Sequence, residues 1–380
     1  MFVPEEVKSA LERLESAGHE AWLVGGCVRD SLLGLVPGDY DICTAALPEE
    51  TYAAFADCRV IETGIRHGTV TVLWQGRALE ITTYRCDGSY SDGRHPDSVA
   101  FTPSLEEDLK RRDFTINAMA YHPMRGLVDL FNGDADLKKG VIRCVGEPKK
   151  RFWEDALRIL RALRFASRYG FEIEYETAAS MHREAALLAV LAAERVFAEL
   201  RGILCGKGAG ALLEEFADVF RVIMPELKPA LVDRAPADFA LRLAMLLEAE
   251  TEFVLRRLKS DNATLDTAKA LWEGLSGGKP ENVPHMLRQL ARYGEANVRL
   301  LAAVQGTETL LEESLALGMP LSVRELAISG GELMERGMEK GPAIGETLQK
   351  LLEAVWDGVC PNEREALLAQ SRALFSSPLR

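Results

Sequence analysis

The chain has no apolar run approaching the roughly 18 residues of a membrane-spanning helix, so no transmembrane segment is expected. Its first 18 residues, MFVPEEVKSALERLESAG, are acidic and amphipathic, which suits a surface helix and not a signal peptide. Cysteine is scarce. Seven residues (27, 43, 58, 86, 144, 205 and 360) are scattered without a C-x-x-C pair. An odd, unpaired set excludes a disulfide framework or a zinc site and predicts reduced, mostly buried thiols in a cytoplasmic protein. The six histidines form no H-x-x-x-H cluster with carboxylates. There is no G-x-S-x-G, no Walker lysine motif and no G-x-G-x-x-G, low-complexity tract or clear repeat.

Positive charge is also short. Against 58 acidic residues stand 45 Lys and Arg, a net charge of −13, which argues mildly against a nucleic-acid partner. The basic residues are not spread evenly, however. They gather at Lys110-Arg111-Arg112, Lys138-Lys139, Lys149-Lys150-Arg151 and then Arg158, Arg161, Arg164 and Arg168. A local positive cleft can hold RNA on an acidic body. With 380 residues, 47% of them hydrophobic, the chain can bury ample core in about two to four domains.

The most informative stretch is Gly25 to Asp41, GGCVRDSLLGLVPGDYD. Ala21-Trp22-Leu23-Val24 predicts a short buried strand ending at Gly25-Gly26, where a backbone without Cβ atoms lets a phosphate approach the N–H groups. Val28 to Leu33 predicts a helix, which places the glycines at its positive N-terminal end. Asp39 and Asp41, at i and i+2 of an extended segment, project from one face. Paired carboxylates repel unless a cation lies between them, and hard oxygen ligands suit Mg²⁺. A phosphate cradle and a metal pair this close together point to nucleotidyl transfer.

Thr69–Trp74 and Ala78–Tyr84, joined at Gln75-Gly76-Arg77, predict a β-hairpin. Glu80 on its second strand is either a third carboxylate for the metal site or a half-buried strand residue paired with an arginine. Residues 86–104, CDGSYSDGRHPDSVAFTPS, predict a long polar loop with little apolar surface to bury, hence mobile without RNA, with Tyr90, Asp92 and Arg94 as contact groups. Beyond about residue 150 nearly everything reads helical: Trp153 to Arg168, then 178–192, 194–205, 209–217, 236–249, 284–303, 322–337 and 342–357. The layout is an α/β head and an α-helical remainder, with a boundary near residue 140.

Two further segments carry charge in informative places. In Glu107–Ala118, EDLKRRDFTINA, the charges stop against Phe114 and Ile116. The segment is either a solvated helix face or a grip in which Arg111 and Arg112 hold a triphosphate or a ribose hydroxyl and Asp113 orients them. Asp155, Arg158, Arg161 and Arg164 recur every three residues, so on a continuous helix Asp155 and Arg158 would project together and Arg161 and Arg164 would continue the stripe. That face is either a base-reading and phosphate-holding stripe or an outer surface of i,i+3 salt bridges.

Taken in order, five motifs resemble those of class II tRNA nucleotidyltransferases, the bacterial and eukaryotic CCA-adding enzymes related to bacterial poly(A) polymerase. They are Gly25-Gly26-Cys-Val-Arg29-Asp30, Asp39-Tyr-Asp41, Arg111-Arg112-Asp113-Phe-Thr-Ile-Asn117, Asp129-Leu-Phe-Asn-Gly133 and Glu154-Asp155-Ala-Leu-Arg158. The similarity extends over Glu194-Arg195 and through the tail, at Gly341-Pro342-Ala-Ile-Gly345 and Gly358 to Asn362. The resemblance implies an α+β fold. A polymerase-β-like nucleotidyltransferase head, a small mixed sheet with helices, covers residues 1–140. A neck for base recognition at 141–205, a helical body at 206–280 and a tRNA-binding tail at 281–380 would follow.

It further implies that Asp39 and Asp41 bind Mg²⁺ as catalytic residues, with Glu80 beside them. Gly25, Gly26, Arg29, Arg111, Arg112, Asp113 and Asn117 would hold the nucleotide. Asp155 and Arg158 would template the bases of CTP and ATP with help from Arg161 and Arg164. The 86–104 loop would serve addition of the final A. The partners implied are tRNA, CTP and ATP, with no membrane and no protein partner evident. The segment FALRLAMLLEA at 239–249 lacks the His-Asp pair of relatives that carry a phosphohydrolase domain, so no hydrolase activity is expected. Rival readings are an A-only enzyme, a bacterial poly(A) polymerase and, more remotely, a non-catalytic RNA-binding protein.

Overall fold

The computed structural model describes residues 1–64, 68–88 and 99–376. They form two compact units, Met1–Leu227 and Lys228–Arg380. The divisions expected at 140 and 205 fall inside the first unit and that at 280 inside the second.

The first unit opens with α1 (Glu5–Ser16), which buries Val7, Ala10, Leu11 and Leu14 along one stripe. β1 (Ala21–Val24) is buried throughout, as its unbroken apolar sequence requires. It leads into α2 (Gly26–Leu32), then β2 (Asp41–Thr44) and α3 (Pro48–Ala54). The strands β3 (Arg59–Gly64), β4 (Thr69–Trp74) and β5 (Arg77–Thr83) follow. The expected hairpin is β4–β5. Its two-residue turn, Gln75-Gly76, has positive φ at both positions, the geometry that matches the twist of the strands it joins.

Next come β6 (Arg85–Asp87), β7 (Val99–Phe101), α4 (Leu105–Lys110), β8 (Met119–His122), β9 (Gly126–Asp129) and α5 (Gly133–Lys139). Seven strands make one sheet in the order β3-β4-β5-β2-β1-β8-β9, antiparallel except for the parallel β2–β5 pair. The mixed sheet with helices is the expected α+β head. β6 and β7 pair apart from it, at the base of the long polar segment. Tyr90, Asp92 and Arg94 in that segment lie outside the described residues.

The rest of the first unit is helical: α6 (Pro148–Glu154), α7 (Leu157–Tyr169), α8 (Tyr175–Glu184), α9 (Ala193–Leu204), α10 (Ala209–Glu215) and α11 (Ala217–Ile223). The short strands β10 (Val141–Ile142) and β11 (Glu172–Ile173) pair in parallel. One expectation fails here. Residues 153–168 are not one helix. α6 stops at Glu154, and Asp155 is extended, with φ −146° and ψ 104°. The Asp155 carboxylate accepts the N–H of Leu157 at 3.0 Å. An aspartate that caps the backbone in this way competes with the helical hydrogen bond, and the chain restarts as α7.

The second unit is all helical: α12 (Phe239–Leu247), α13 (Thr251–Arg257), α14 (Asn262–Ser276), α15 (Val283–Gln305), α16 (Glu308–Ala316), α17 (Gly330–Glu335), α18 (Pro342–Trp356) and α19 (Arg364–Ser376). Its core draws on Met286, Leu287, Leu290, Val298, Leu351, Leu352, Val355 and Trp356. α15 is broken by Gly294, whose φ of 77° no neighbouring turn of helix shares. The single helix expected at 322–337 is instead a 3₁₀ turn at Val323–Glu325 and the short α17. Ser329 and Glu332 form a capping box that starts a new helix in the middle of the segment. Among the described residues, no helix is long and apolar enough to cross a membrane.

Candidate active site

Strand pairing builds the centre. β1 ends at Val24, and its register partner across the antiparallel pair is Asp41, the first residue of β2. The Gly25 turn that follows Val24 therefore sits beside Asp41. Gly25 has φ 71°, a left-handed conformation that favours glycine, and a Cβ there would lie 3.0 Å from Arg112 Nη1. Asp39 and Tyr40 precede the strand instead of belonging to it. The alternation still holds: both aspartates face one cleft, while Tyr40 is buried on the other side. Glu80 on β5 is the parallel register partner of Asp41, so the two share a sheet face. It opens onto a smaller neighbouring hollow with Asp41, Arg111 and Arg112.

The main cleft has a volume of about 590 Å³. It is lined by Gly25, Gly26, Arg29, Asp30, Gly38, Asp39, Asp41, Arg111, Arg112, Asp113, Asn117, Asp155, Arg158, Arg161, Arg164, Phe165 and Arg168. Every expected nucleotide-contacting residue is thus on one wall or another, although they come from the turn after β1, α2, the segment after α4, the break at Asp155, and α7. Seven arginines face five aspartates in a chain whose net charge is −13. Such an excess of guanidinium groups suits a polyphosphate.

The arginines are held by a connected set of hydrogen bonds. The hydroxyl of Tyr169 donates to Asp30 Oδ1 at 2.9 Å, and Arg29 Nε donates to the same oxygen at 2.8 Å. Arg29 Nη1 donates to Asn117 Oδ1 at 2.6 Å. Asn117 Nδ2 in turn donates to Asp113 Oδ1 at 3.0 Å. Arg161 donates to Asp113 Oδ2 through Nε at 2.8 Å and lies 2.7 Å from it through Nη2. Burial pushes the Asp113 carboxyl up, but Arg161, Asn117 and Arg158 more than offset it and hold the group well below the usual carboxylate range. Arg29 also lies over the rings of Phe165 and Tyr169, at 5.1 and 5.2 Å.

The expectation that Asp113 orients Arg111 and Arg112 is corrected. Asp108 does so, from three and four residues earlier, where one turn of α4 puts it on their side. Asp113 points the other way, to Arg161.

Nor do Asp155 and Arg158 share a helix face, since the break at Asp155 separates them. Asp155 is held by Arg195 Nη2 of α9, 3.0 Å from Oδ2. Arg158 donates through Nη1 to Glu154 at 2.7 Å and to the Arg151 carbonyl at 3.2 Å, and through Nη2 to the Arg111 carbonyl at 3.0 Å. Both still reach the cleft. Arg164 donates to Glu199 at 2.6 Å and packs flat over Gly202, where a Cβ would come within 2.5 Å of Arg164 Cδ.

Asp108, Asp30, Glu154, Arg195 and Glu199 were missing from the expected site. The i,i+3 and i,i+4 spacing of Asp108 to the arginines and of Glu154 to Arg158 was a usable signal. Arg195 stands in the Glu194-Arg195 motif, whereas nothing local marks Glu199; both arrive through the packing of α9 on α7.

Among the described residues, no group of three or more His, Cys, Asp or Glu side chains converges to hold a metal. The Asp39–Asp41 pair nevertheless fits a divalent cation. Burial, then Asp39 and Glu80, raise the Asp41 carboxyl to about 6, against the opposing pull of Arg112. A carboxylate that resists ionisation beside two others is a place where a cation relieves the charge.

Comparisons with known proteins agree along the whole chain. A model of the poly A polymerase head domain matches residues 21–143. A model of the RNA- and SrmB-binding site of polymerase A matches residues 170–231, and one of tRNA nucleotidyltransferase domain 2 matches residues 237–370. The CCA-adding enzyme of Limosilactobacillus fermentum is 37% identical, with 98% of each chain covered. That of Leuconostoc mesenteroides subsp. mesenteroides is 39% identical over 96% of each. The crystal structure of the Bacillus stearothermophilus CCA-adding enzyme in complex with CTP superposes with a TM-score of 0.83 at 33% identity, covering 98% of both chains.

Proposed function

This chain belongs to the family of CCA-adding tRNA nucleotidyltransferases, and on that premise we propose how its own residues carry the reaction. The protein is an enzyme that completes the 3′ end of tRNA, transferring CMP, CMP and AMP from CTP and ATP without a nucleic-acid template and releasing pyrophosphate. The observation that supports the residue assignment is the single cleft that gathers the Asp39–Asp41 pair, the glycine turn and seven arginines.

Asp39 and Asp41 hold the divalent cation, which we take to be Mg²⁺. When bound, it lowers the pKa of the attacking hydroxyl and neutralises charge on the leaving pyrophosphate. Gly25 and Gly26 leave room for the phosphates, and Arg29, Arg111 and Arg112 grip them. The tRNA 3′-hydroxyl, brought in line, attacks the α-phosphate. Catalysis here is mostly positioning and charge stabilisation, so the fixed hydrogen-bonded arginines matter more than any proton-transferring side chain.

Asp155 and Arg158 read the base edge, assisted by Arg161 and Arg164. Their anchoring by Arg195 and Glu154 presets the donors and acceptors. Glu80, beside Asp41 on β5, adds negative charge next to the metal pair without joining it as a third ligand. The helical tail at 281–380 binds the tRNA, whose paired stem proteins read chiefly by shape, phosphates and 2′-hydroxyls. The seven scattered cysteines, with no C-x-x-C spacing, fit a cytoplasmic location.

Incorporation on tRNA ending at the discriminator base, with CTP alone and then with ATP, tests this reading. Two C additions followed by one A are expected. Arg158→Ala is expected to admit UTP and GTP and to blur the choice between CTP and ATP more than it slows transfer. A bidentate contact to a base edge is worth about 1–3 kcal/mol of discrimination. Unchanged selectivity at an unchanged rate would leave Arg158 as a structural partner of Glu154 alone.

A further inference from the structure

α4 is short, yet it controls the position of two cleft arginines. Ser104 caps its start, and Leu105 and Leu109 pack against Trp22, Val24, Cys43 and Tyr84 beneath the sheet. Between those leucines Asp108 enters the same core and is 0% exposed. A carboxylate there needs partners, and it has them on both oxygens. Oδ1 accepts from Arg111 Nη2 at 2.8 Å and Nε at 3.2 Å. Oδ2 accepts from Arg112 Nη2 at 3.1 Å. The backbone N–H of Arg85, at the start of β6, also points at Oδ1 from 3.4 Å. One buried negative charge thus holds two positive ones. The cluster keeps a net positive charge, directed into the cleft, with Arg112 lying against the Gly25 turn.

We propose that Asp108 is the positioning residue that fixes Arg111 and Arg112 as a phosphate clamp beside the Gly25 turn. It touches no substrate and acts only through the two guanidinium groups. The inference rests on the assignment of those arginines to the triphosphate. Without the anchor, both long side chains regain rotamer freedom and must be ordered by the nucleotide itself.

The discriminating measurement compares CTP with CMP, which share a base and a ribose and differ in the phosphates that the clamp would hold. Asp108→Asn keeps the shape and one acceptor but removes the charge. It is expected to weaken CTP and ATP binding about tenfold, as for loss of a charge-assisted hydrogen bond. In turnover the loss should appear as a raised KM for the nucleoside triphosphates. CMP binding and tRNA binding should stay as in the unaltered enzyme. Asp108→Glu, which retains the charge but moves the carboxylate by one methylene, guards against a folding failure and should show the same selective loss in smaller measure.

An equal loss of CTP and CMP binding, or no loss of either, would overturn the inference by reducing Asp108 to a packing role. Arg112→Ala separates the two levels of the argument. If it loses CTP selectively while the Asp108 variants do not, the anchor fails and the clamp stands. If neither loses CTP selectively, the clamp fails and the anchor with it.

Discussion

Asp39→Ala or Asp41→Ala is expected to abolish transfer of both CMP and AMP while leaving tRNA binding nearly intact. On the proposed assignment both nucleotides use one cleft with one carboxylate pair, so no addition would bypass the lesion. A cation that polarises a phosphoryl group supplies several kcal/mol of transition-state stabilisation, so its loss costs on the order of a thousandfold in rate or more. Asp41 should be the more sensitive of the two. It is the better buried, it opens β2, and its carboxyl already stands at about 6 through burial and the charges of Asp39 and Glu80. Time courses with radiolabelled CTP and ATP, together with a filter-binding assay for tRNA, would check both halves. Near-normal CMP addition by either variant would show that the metal site lies elsewhere.

Asp113→Ala is expected to reduce nucleotide transfer and folding stability together. Asp113 is 8% exposed and ties Arg161, Asn117 and the Phe114 N–H into one network that continues to Arg29. Removing the acceptor leaves a guanidinium and an amide without their partner. Breaking a buried pair from one side costs about 3–5 kcal/mol. The low end applies, because Arg161 remains open to the cleft. The pH dependence has a definite sign. A carboxyl depressed in the folded state contributes stability that is present above its unfolded pKa and is lost as pH falls toward the folded value. The unaltered protein should therefore lose this contribution only on acidification below the ordinary carboxylate range, and Asp113→Asn should flatten that part of the curve. Thermal melts across that range would show it. An unchanged slope would mean that Arg161 has found another partner.

The anchors divide into those written locally and those that arise from packing. Asp108 to Arg111 and Arg112, and Glu154 to Arg158, are separations of three or four residues, which helical geometry turns into contacts. Arg195 to Asp155 and Glu199 to Arg164 join α9 to the segment around α7 across 40 and 35 residues. No local pattern in either segment encodes those pairs. The break at Asp155 is intermediate. The tendency of aspartate to cap is legible in the sequence, but the strong apolar period of Leu157 to Phe165 masks it. The same competition explains 322–337, where the Ser329–Glu332 box interrupts a helical period.

By itself the sequence determined the strand, glycine turn and helix from Ala21 to Leu32, the hairpin 69–83 and the helical character beyond residue 150. It also contained the chemistry, because Asp39-x-Asp41 and clustered arginines suit few reactions other than phosphoryl or nucleotidyl transfer. The tertiary structure decided how those parts meet. The pairing of β1 with β2 brings Asp41 beside the Gly25 turn, and the parallel register of β2 with β5 puts Glu80 next to Asp41. The packing of α7 against the Arg111–Asn117 segment joins residues 29, 113, 117 and 161 into one hydrogen-bonded line. The reason is physical. Alternation and helical period fix which face a side chain takes within its own element, whereas the contact between two elements depends on the burial of surfaces distant in sequence, and one chain read along its length does not reveal which surfaces those are.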